Sequence, residues 1–157
     1  MYYDKKSLWR AGASTAIGLL TQEDLTTNLI TFNYPLPVLG TAFMSVYVNE
    51  DDVWVVGFSY TIEQDQVKLQ KGIAVHLTNK GQTEIRYELP SPLFTVVGDG
   101  TGEVWMGGMG GLVRHWDKSQ LVDEGGPWLG NVNAIYIDPM GQRWMGSSEG
   151  LLRYRPE

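Results

Sequence analysis

Gly98-Asp-Gly-Thr-Gly-Glu103 sets two carboxylates among glycines, the kind of segment that cradles a phosphate or wraps a calcium ion. A phosphate cradle passes its glycines on to a helix whose first amides hold the anion. Here the next residues, Val104-Trp-Met, read as a strand. A calcium loop needs more oxygen ligands in register than this segment supplies, so it reads as a tight turn. Glu50-Asp51-Asp52 takes the same place in an earlier segment and reads as a solvated hairpin. His76 and His115 fall at equivalent places, but two imidazoles with no cysteine and no third histidine make a poor metal site. No nucleophile triad and no carboxylate pair stands at a spacing that argues for catalysis. The expectation is a segment with no catalytic residues, no metal and no cofactor. Trp128 is the side chain most suited to a ligand. It follows Gly125-Gly126-Pro127, and would either stack on a sugar ring or plug a gap between layers.

What positions these residues is a repeat. GEVWMGGMGGLVRHW (102–116) and GQRWMGSSEGLLRYR (141–155) align Gly102 with Gly141, Trp105 with Trp144 and Gly111 with Gly150, and the match runs upstream to Asp99 and Asp138. Weaker copies are built on Trp9 with Gly12, and on Trp54 with Gly57. Trp9, Trp54, Trp105 and Trp144 are thus 45, 51 and 39 residues apart, a period that signals a propeller, solenoid or array. Within the last copy, 132–137 alternates as a strand, with Val132, Ala134 and Tyr136 expected on one face. Asp138-Pro-Met-Gly141 reads as a turn, 142–146 as a second strand and 151–154 as a third; 84–88 supplies a fourth strand in an earlier copy. Three or four antiparallel strands per unit is the layout of a propeller blade. The fold expected is all-β, with about four blades in an incomplete ring, at 1–41, 42–92, 93–131 and 132–157. Only Leu20 to Leu29 hints at a helix.

The composition fits. A chain of 157 residues is one domain by default, and it has 19 glycines, eight tyrosines and six tryptophans, which suit short strands and tight turns. A net charge of -6 argues against nucleic acid. The absence of cysteine removes disulfides and thiolate metal sites. No run approaches the apolar length of a membrane helix, and no membrane contact by this segment is expected. Lys5, Lys6 and Arg10 before a small apolar run resemble a signal peptide, but the repeat accounts for that run.

Asp-x-x-Gly-x-x-Trp-Met-Gly followed by Gly-Leu-x-Arg, written twice, resembles the two-component regulator propeller repeat of bacterial hybrid histidine kinases. The resemblance covers the last two units well and the first two in their Trp and Gly skeleton. It implies a sensory propeller on the periplasmic or extracellular side of a membrane-anchored sensor, binding a ligand such as an oligosaccharide or mediating dimerisation. It also implies a piece of a longer chain, completed by its remaining blades or by self-association. A protein-interaction scaffold and a lyase-like propeller enzyme are the alternatives.

The units differ most in the second, where 18 residues separate Trp54 from Gly72, against six from Trp105 to Gly111 and from Trp144 to Gly150. The extra residues, 59–71, alternate and are expected to lengthen a hairpin beyond the blade, on the face shared with the connectors between blades. Tyr60, Glu63 and Asp65 on that hairpin, with Tyr34, Trp128 and Asn131 on connectors, are the candidate ligand-binding residues.

Overall fold

The computed structural model of the chain describes residues 1–4, 6–50, 52–78, 82–124 and 130–154. Four antiparallel sheets follow one another along it. Blade 1 contains β1 (Tyr2–Asp4), β2 (Ser7–Ser14), β3 (Ile17–Asp24) and β4 (Leu29–Leu39). Blade 2 contains β5 (Thr41–Asn49), β6 (Asp52–Glu63), β7 (Gln66–Thr78) and β8 (Thr83–Leu89). Blade 3 contains β9 (Leu93–Gly98), β10 (Val104–Gly108), β11 (Val113–Trp116) and β12 (Leu121–Asp123), and blade 4 contains β13 (Val132–Ile137), β14 (Arg143–Ser147) and β15 (Gly150–Tyr154). Strand order equals chain order in every sheet. The chain is therefore an all-β meander of stacked blades. Leu20 to Leu29 forms no helix: β3 runs to Asp24, whose Oδ1 accepts the Thr26 and Thr27 amides at 2.8 and 2.9 Å. A short side chain that satisfies its own backbone in this way favours a turn over a helix.

The core lies between blades. Each blade has a front face, bearing the tryptophan of its second strand, and a back face. Trp9 on blade 1 joins Val46, Val55 and Val75 on the back of blade 2. Trp54 joins Val96, Val104 and Met106 of blade 3, and Trp105 joins Val132, Ile135 and Met145 of blade 4. These three tryptophans are buried. A Trp side chain removes a large apolar area from water, which makes each interface cohere. β6 carries Val53-Trp-Val-Val56, buried on both faces because blade 2 is sandwiched between its neighbours.

One expectation is corrected here. The innermost strands β5, β9 and β13 each carry one extra residue against their partners, at Met44, Phe94 and Asn133. Such a bulge reverses the alternation beyond it. Val132 accordingly packs backward against Trp105, whereas Ala134 and Tyr136 are exposed on the front.

Candidate functional site

Hydrogen bonds place the connectors and the turns between second and third strands on one face of the molecule. The Gly40 amide donates to Ala16 O at 2.8 Å, Tyr60 N to Gly40 O at 2.6 Å, Met109 N to Pro92 O at 2.9 Å and Ser148 N to Asn131 O at 3.0 Å. Gly40 is required in its connector. Its φ is +70°, and a Cβ there would lie 2.4 Å from Tyr60 O. Thr41, fully buried beside it, accepts the Gly18 amide at 2.8 Å and donates to Val38 O at 2.6 Å.

From this face the β6–β7 hairpin projects as an arm. Its ladder continues past Phe58↔Gly72 through Tyr60↔Leu69, Thr61↔Lys68, Ile62↔Val67 and Glu63↔Gln66. The tip is a two-residue turn at Gln64-Asp65 with φ of 51° and 62°, the left-handed pair that matches the twist of a hairpin. β5 and β8 do not follow it out, since their last pairings are Thr41↔Ser59 and Gly72↔Leu89. Alternation divides the arm. Tyr60, Ile62, Val67 and Leu69 share one side, with Phe58 and Tyr60 rings 6.4 Å apart. Thr61, Glu63 and Lys68 share the other, where Gln70 Nε2 donates to Thr61 Oγ1 at 3.2 Å and Lys68 pairs with Glu63. Ile62 and Val67 are 65% and 60% exposed, so the apolar side faces water.

The candidate residues thus separate. Tyr60, Glu63 and Asp65 lie on the arm as expected. Asn131 lies on a connector, but its side chain is engaged, Oδ1 accepting the Gly110 amide at 3.0 Å; its backbone amide donates to Ser148 Oγ at 2.9 Å. Tyr34 is not on a connector. It sits within β4, the outermost strand of blade 1, paired with Leu20 and stacked at 6.5 Å on Phe43 of blade 2. Burial, and then the Glu84 carboxylate, push its phenol up to about 12. Trp128 lies outside the described residues.

The Gly98–Glu103 segment is a turn organised by Asp99. Its carboxylate accepts the Thr101 amide at 2.8 Å, the Thr101 hydroxyl at 2.7 Å and the Glu103 amide at 3.2 Å. Burial opposes the charge, but these bonds outweigh it and hold Asp99 below the usual carboxylate range. Asp138 repeats the device, held low first by the Trp144 indole, which donates at 3.1 Å, and then by the Gln142 and Met140 amides. The repeated aspartates therefore close hairpins.

His76 and His115 both face the tryptophan of the preceding strand, through Trp54↔His76 and Trp105↔His115. His115 lies in a constellation that sequence reasoning missed. Its Nδ1 is 3.1 Å from Glu124, and its Nε2 is 3.4 Å from Glu103 without the alignment of a hydrogen bond. Arg143 of blade 4 reaches Glu103 at 3.1 Å, and the Tyr154 hydroxyl donates to Glu124 at 2.7 Å. The Arg143 guanidinium also sits 5.0 Å over the Trp105 ring. Glu103 and Glu124 each have a partner across the blade 3–blade 4 seam, so the constellation ties blades together. Its members are brought together from separate repeats, and only the 40-residue offset between Glu103 and Arg143 hints at the pairing. Among the described residues no group of three or more His, Cys, Asp or Glu is placed to hold a metal ion, and no helix is long and apolar enough to cross a membrane.

No protein-family model matches the chain, and no curated protein matches it. Solved structures do match, among them the structure of the Dos1 propeller, which covers 89% of this chain with a TM-score of 0.59 at 16% identity. This chain spans 36% of that structure's length. At that identity the likeness shows the fold, a β-propeller, a scaffold suited in general to binding a ligand or a protein.

Proposed function

We propose that this chain is a binding section of a larger β-propeller, acting as the sensory module of a two-component-type sensor outside the cytoplasmic membrane, with its partner taken on the connector face at the β6–β7 arm. The observation that carries the reading is the arm itself. Blades 1, 3 and 4 close the same hairpin with tight turns at Thr15-Ala16, Met109–Gly111 and Ser148-Glu149, whereas blade 2 spends extra residues on a ribbon exposed on both sides. Such a ribbon adds little to the blade's own core, because burial is what stabilises. Its value lies in what it touches. The kinase context, the membrane-anchored location and an oligosaccharide ligand come from the repeat resemblance of the sequence.

The test is isothermal titration of xylo-, manno- and arabino-oligosaccharides into the full chain and into a variant whose residues 60–69 are replaced by Asn-Gly. Saturable binding by one sugar class, lost in the armless variant, is the expected result. No heat from any sugar, or equal binding without the arm, would overturn the ligand reading.

A second reading, a protein-interaction or dimerising scaffold, is favoured by the exposed Ile62 and Val67 pair, since β-branched aliphatic side chains suit a protein partner better than a sugar. Sedimentation of the wild type and of Ile62→Asp separates the two. A dimer dispersed by Ile62→Asp supports the scaffold, and a monomer in both cases removes arm-mediated dimerisation. No observation here favours the lyase-like reading.

A further inference from the structure

We propose that the front face of blade 4 is a docking face for one further blade of the same ring, of defined chemistry, and that a second copy of this chain cannot fill the place. The proposal rests on the reading of the chain as a section of a larger propeller, and goes beyond it by naming which blade chemistry fits.

The three internal interfaces supply the rule. Between blades 2 and 3, Tyr47 stands opposite Trp54 on the innermost strand and lays its ring over Gly98, where a Cβ would come within 2.1 Å of the ring. The Gly100 amide donates to the Tyr47 hydroxyl at 3.2 Å. Met106, the residue after Trp105, is fully buried on that back face, and Trp116, paired with the residue before Trp105, brings its ring 5.4 Å from Trp54. Between blades 1 and 2, Tyr2 stands opposite Trp9 in the same register and packs with Trp9 on a cluster that includes Val48, Val55 and Leu77, the corresponding positions of blade 2. A front face that carries Tyr and Trp is thus received by three uncharged, apolar positions.

Blade 4 presents that same front face with no blade on it, the Arg153 guanidinium lying 5.6 Å over the Trp144 ring. Tyr136 stands opposite Trp144 in the register of Tyr47 opposite Trp54, but is 60% exposed, whereas Tyr47 is 8% exposed. With Ala134, Gly146 and Leu151 they line an open apolar groove of about 360 Å³. An apolar concavity continuous in pattern with three packed interfaces marks an association surface.

The back face of blade 1 does not match it. At the three receiving positions blade 1 has Tyr3, Arg10 and Glu23, because Leu8, the residue before Trp9, pairs with Tyr3 and Glu23, and Arg10 follows Trp9. Arg10 and Glu23 form an ion pair. A second copy added head to tail would set Tyr136 against the Tyr3 ring instead of a glycine or a valine. It would also bury that ion pair under Trp144, and taking charges out of water carries a desolvation penalty that apolar packing avoids. The backs of blades 2 and 4 offer Val55 and Met145 at the aliphatic position, and Val48 and Ile137 where blade 3 has Gly98. Blades 2, 3 and 4 all keep charge off the three receiving positions and blade 1 does not, so the missing neighbour is a blade with an uncharged, apolar back of the kind on blades 2 to 4.

Two extended proteins test this. One is the full chain followed by a second copy of residues 93–154, which presents Gly98, Met106 and Trp116 to Trp144. The other is the full chain followed by a second copy of 1–92, which presents Tyr3, Arg10 and Glu23. Both carry Leu151→Cys in the first copy as the only thiol. In the first protein, labelling of that thiol is expected to slow by about tenfold or more relative to the unextended chain, as a site opened only by local unfolding does, and thermal unfolding is expected to be a single transition. In the second, labelling stays as fast as in the unextended chain and two transitions appear. Equal protection in both proteins, or protection only in the second, would overturn the proposal. So would sedimentation of the unextended chain as a closed oligomer with Leu151→Cys protected, which would give the face to a second copy. None of these readouts uses a sugar or the arm, so failure of the ligand reading and failure of this one are separable.

Discussion

Trp54 on His76 and Trp105 on His115 are one motif set in two blades, stacked with ring centroids 4.1 and 4.3 Å apart, yet their surroundings hold them by different forces. The first stack is closed by Tyr87 and Trp116 rings and by aliphatic side chains, with the Asp52 carboxylate 3.3 Å from His76 Nε2. The second is ringed by Glu103, Glu124 and Arg143. The blade 2–blade 3 seam is therefore held by packing, and the blade 3–blade 4 seam adds a polar latch. The shared Val-Trp pair and the facing His fix the stack, and the residues that differ between copies decide what the stack is good for.

The comparison breaks most sharply on Trp54→Ala. Removing a fully enclosed indole leaves a cavity bounded by rings that cannot collapse into it, so a loss of about 3–5 kcal/mol is expected. Urea unfolding followed by far-ultraviolet circular dichroism measures it. A loss under about 1 kcal/mol would mean that the seam does not depend on packing.

Arg143→Ala tests the other seam. It removes the countercharge of Glu103 and the cation over Trp105, while both carboxylates stay partly buried. The pair lies between the exposed and the fully buried limits, so the expected cost is about 1–2 kcal/mol. The same measurement at low and high salt sharpens the contrast: the Arg143→Ala penalty should shrink in high salt, and the Trp54→Ala penalty should not.

The Trp and Gly skeleton carried the blades because a large ring between sheets and a glycine at a turn are local needs repeated in every copy. The arm was legible as a length, 18 residues against six, and as an alternation. Its turn falls at Gln64-Asp65, where neither residue type announces a left-handed pair. Tyr34 was misplaced because Tyr34-Pro-Leu-Pro37 looks like a connector. β4 is an outermost strand, and an edge tolerates the missing amides of proline. The bulge at Asn133 left no signal, so the face of Val132 could not be read from alternation. The residue after each tryptophan, Arg10, Val55, Met106 and Met145, did carry a readable message. Three bury an aliphatic chain against the preceding blade, and the fourth, Arg10, is charged and paired with Glu23.

Tyr47→Phe is a finer probe of the packed seam. It keeps the ring over Gly98 and deletes only the hydroxyl that accepts the Gly100 amide. A loss of about 0.5–1.5 kcal/mol follows from one such bond. Tyr136→Phe on the open face should change stability by less, since its side chain is exposed. Equal losses at the two positions would erase the difference between a docked and an undocked tyrosine.

The smallest effect is expected from protons. Burial disfavours the imidazolium of His76 and lowers its pKa from the ordinary 6.5, with the Asp52 carboxylate restoring only part of the shift. The unfolded chain therefore takes up a proton at this residue before the folded chain does. The stability contributed by a neutral His76 is complete above pH 6.5 and is lost as pH falls from there toward the lower folded value. Asp99 and Asp138, held below the usual 3.8, lose their contributions only in a separate and more acidic window. Stability measured from pH 7.5 downward should thus begin to decline near pH 6.5, and His76→Gln should flatten that first decline while leaving the acidic one unchanged. If the decline persists in His76→Gln, the proton is taken up elsewhere, and the contrast between a dry stack at Trp54 and a charged one at Trp105 loses its titration signature.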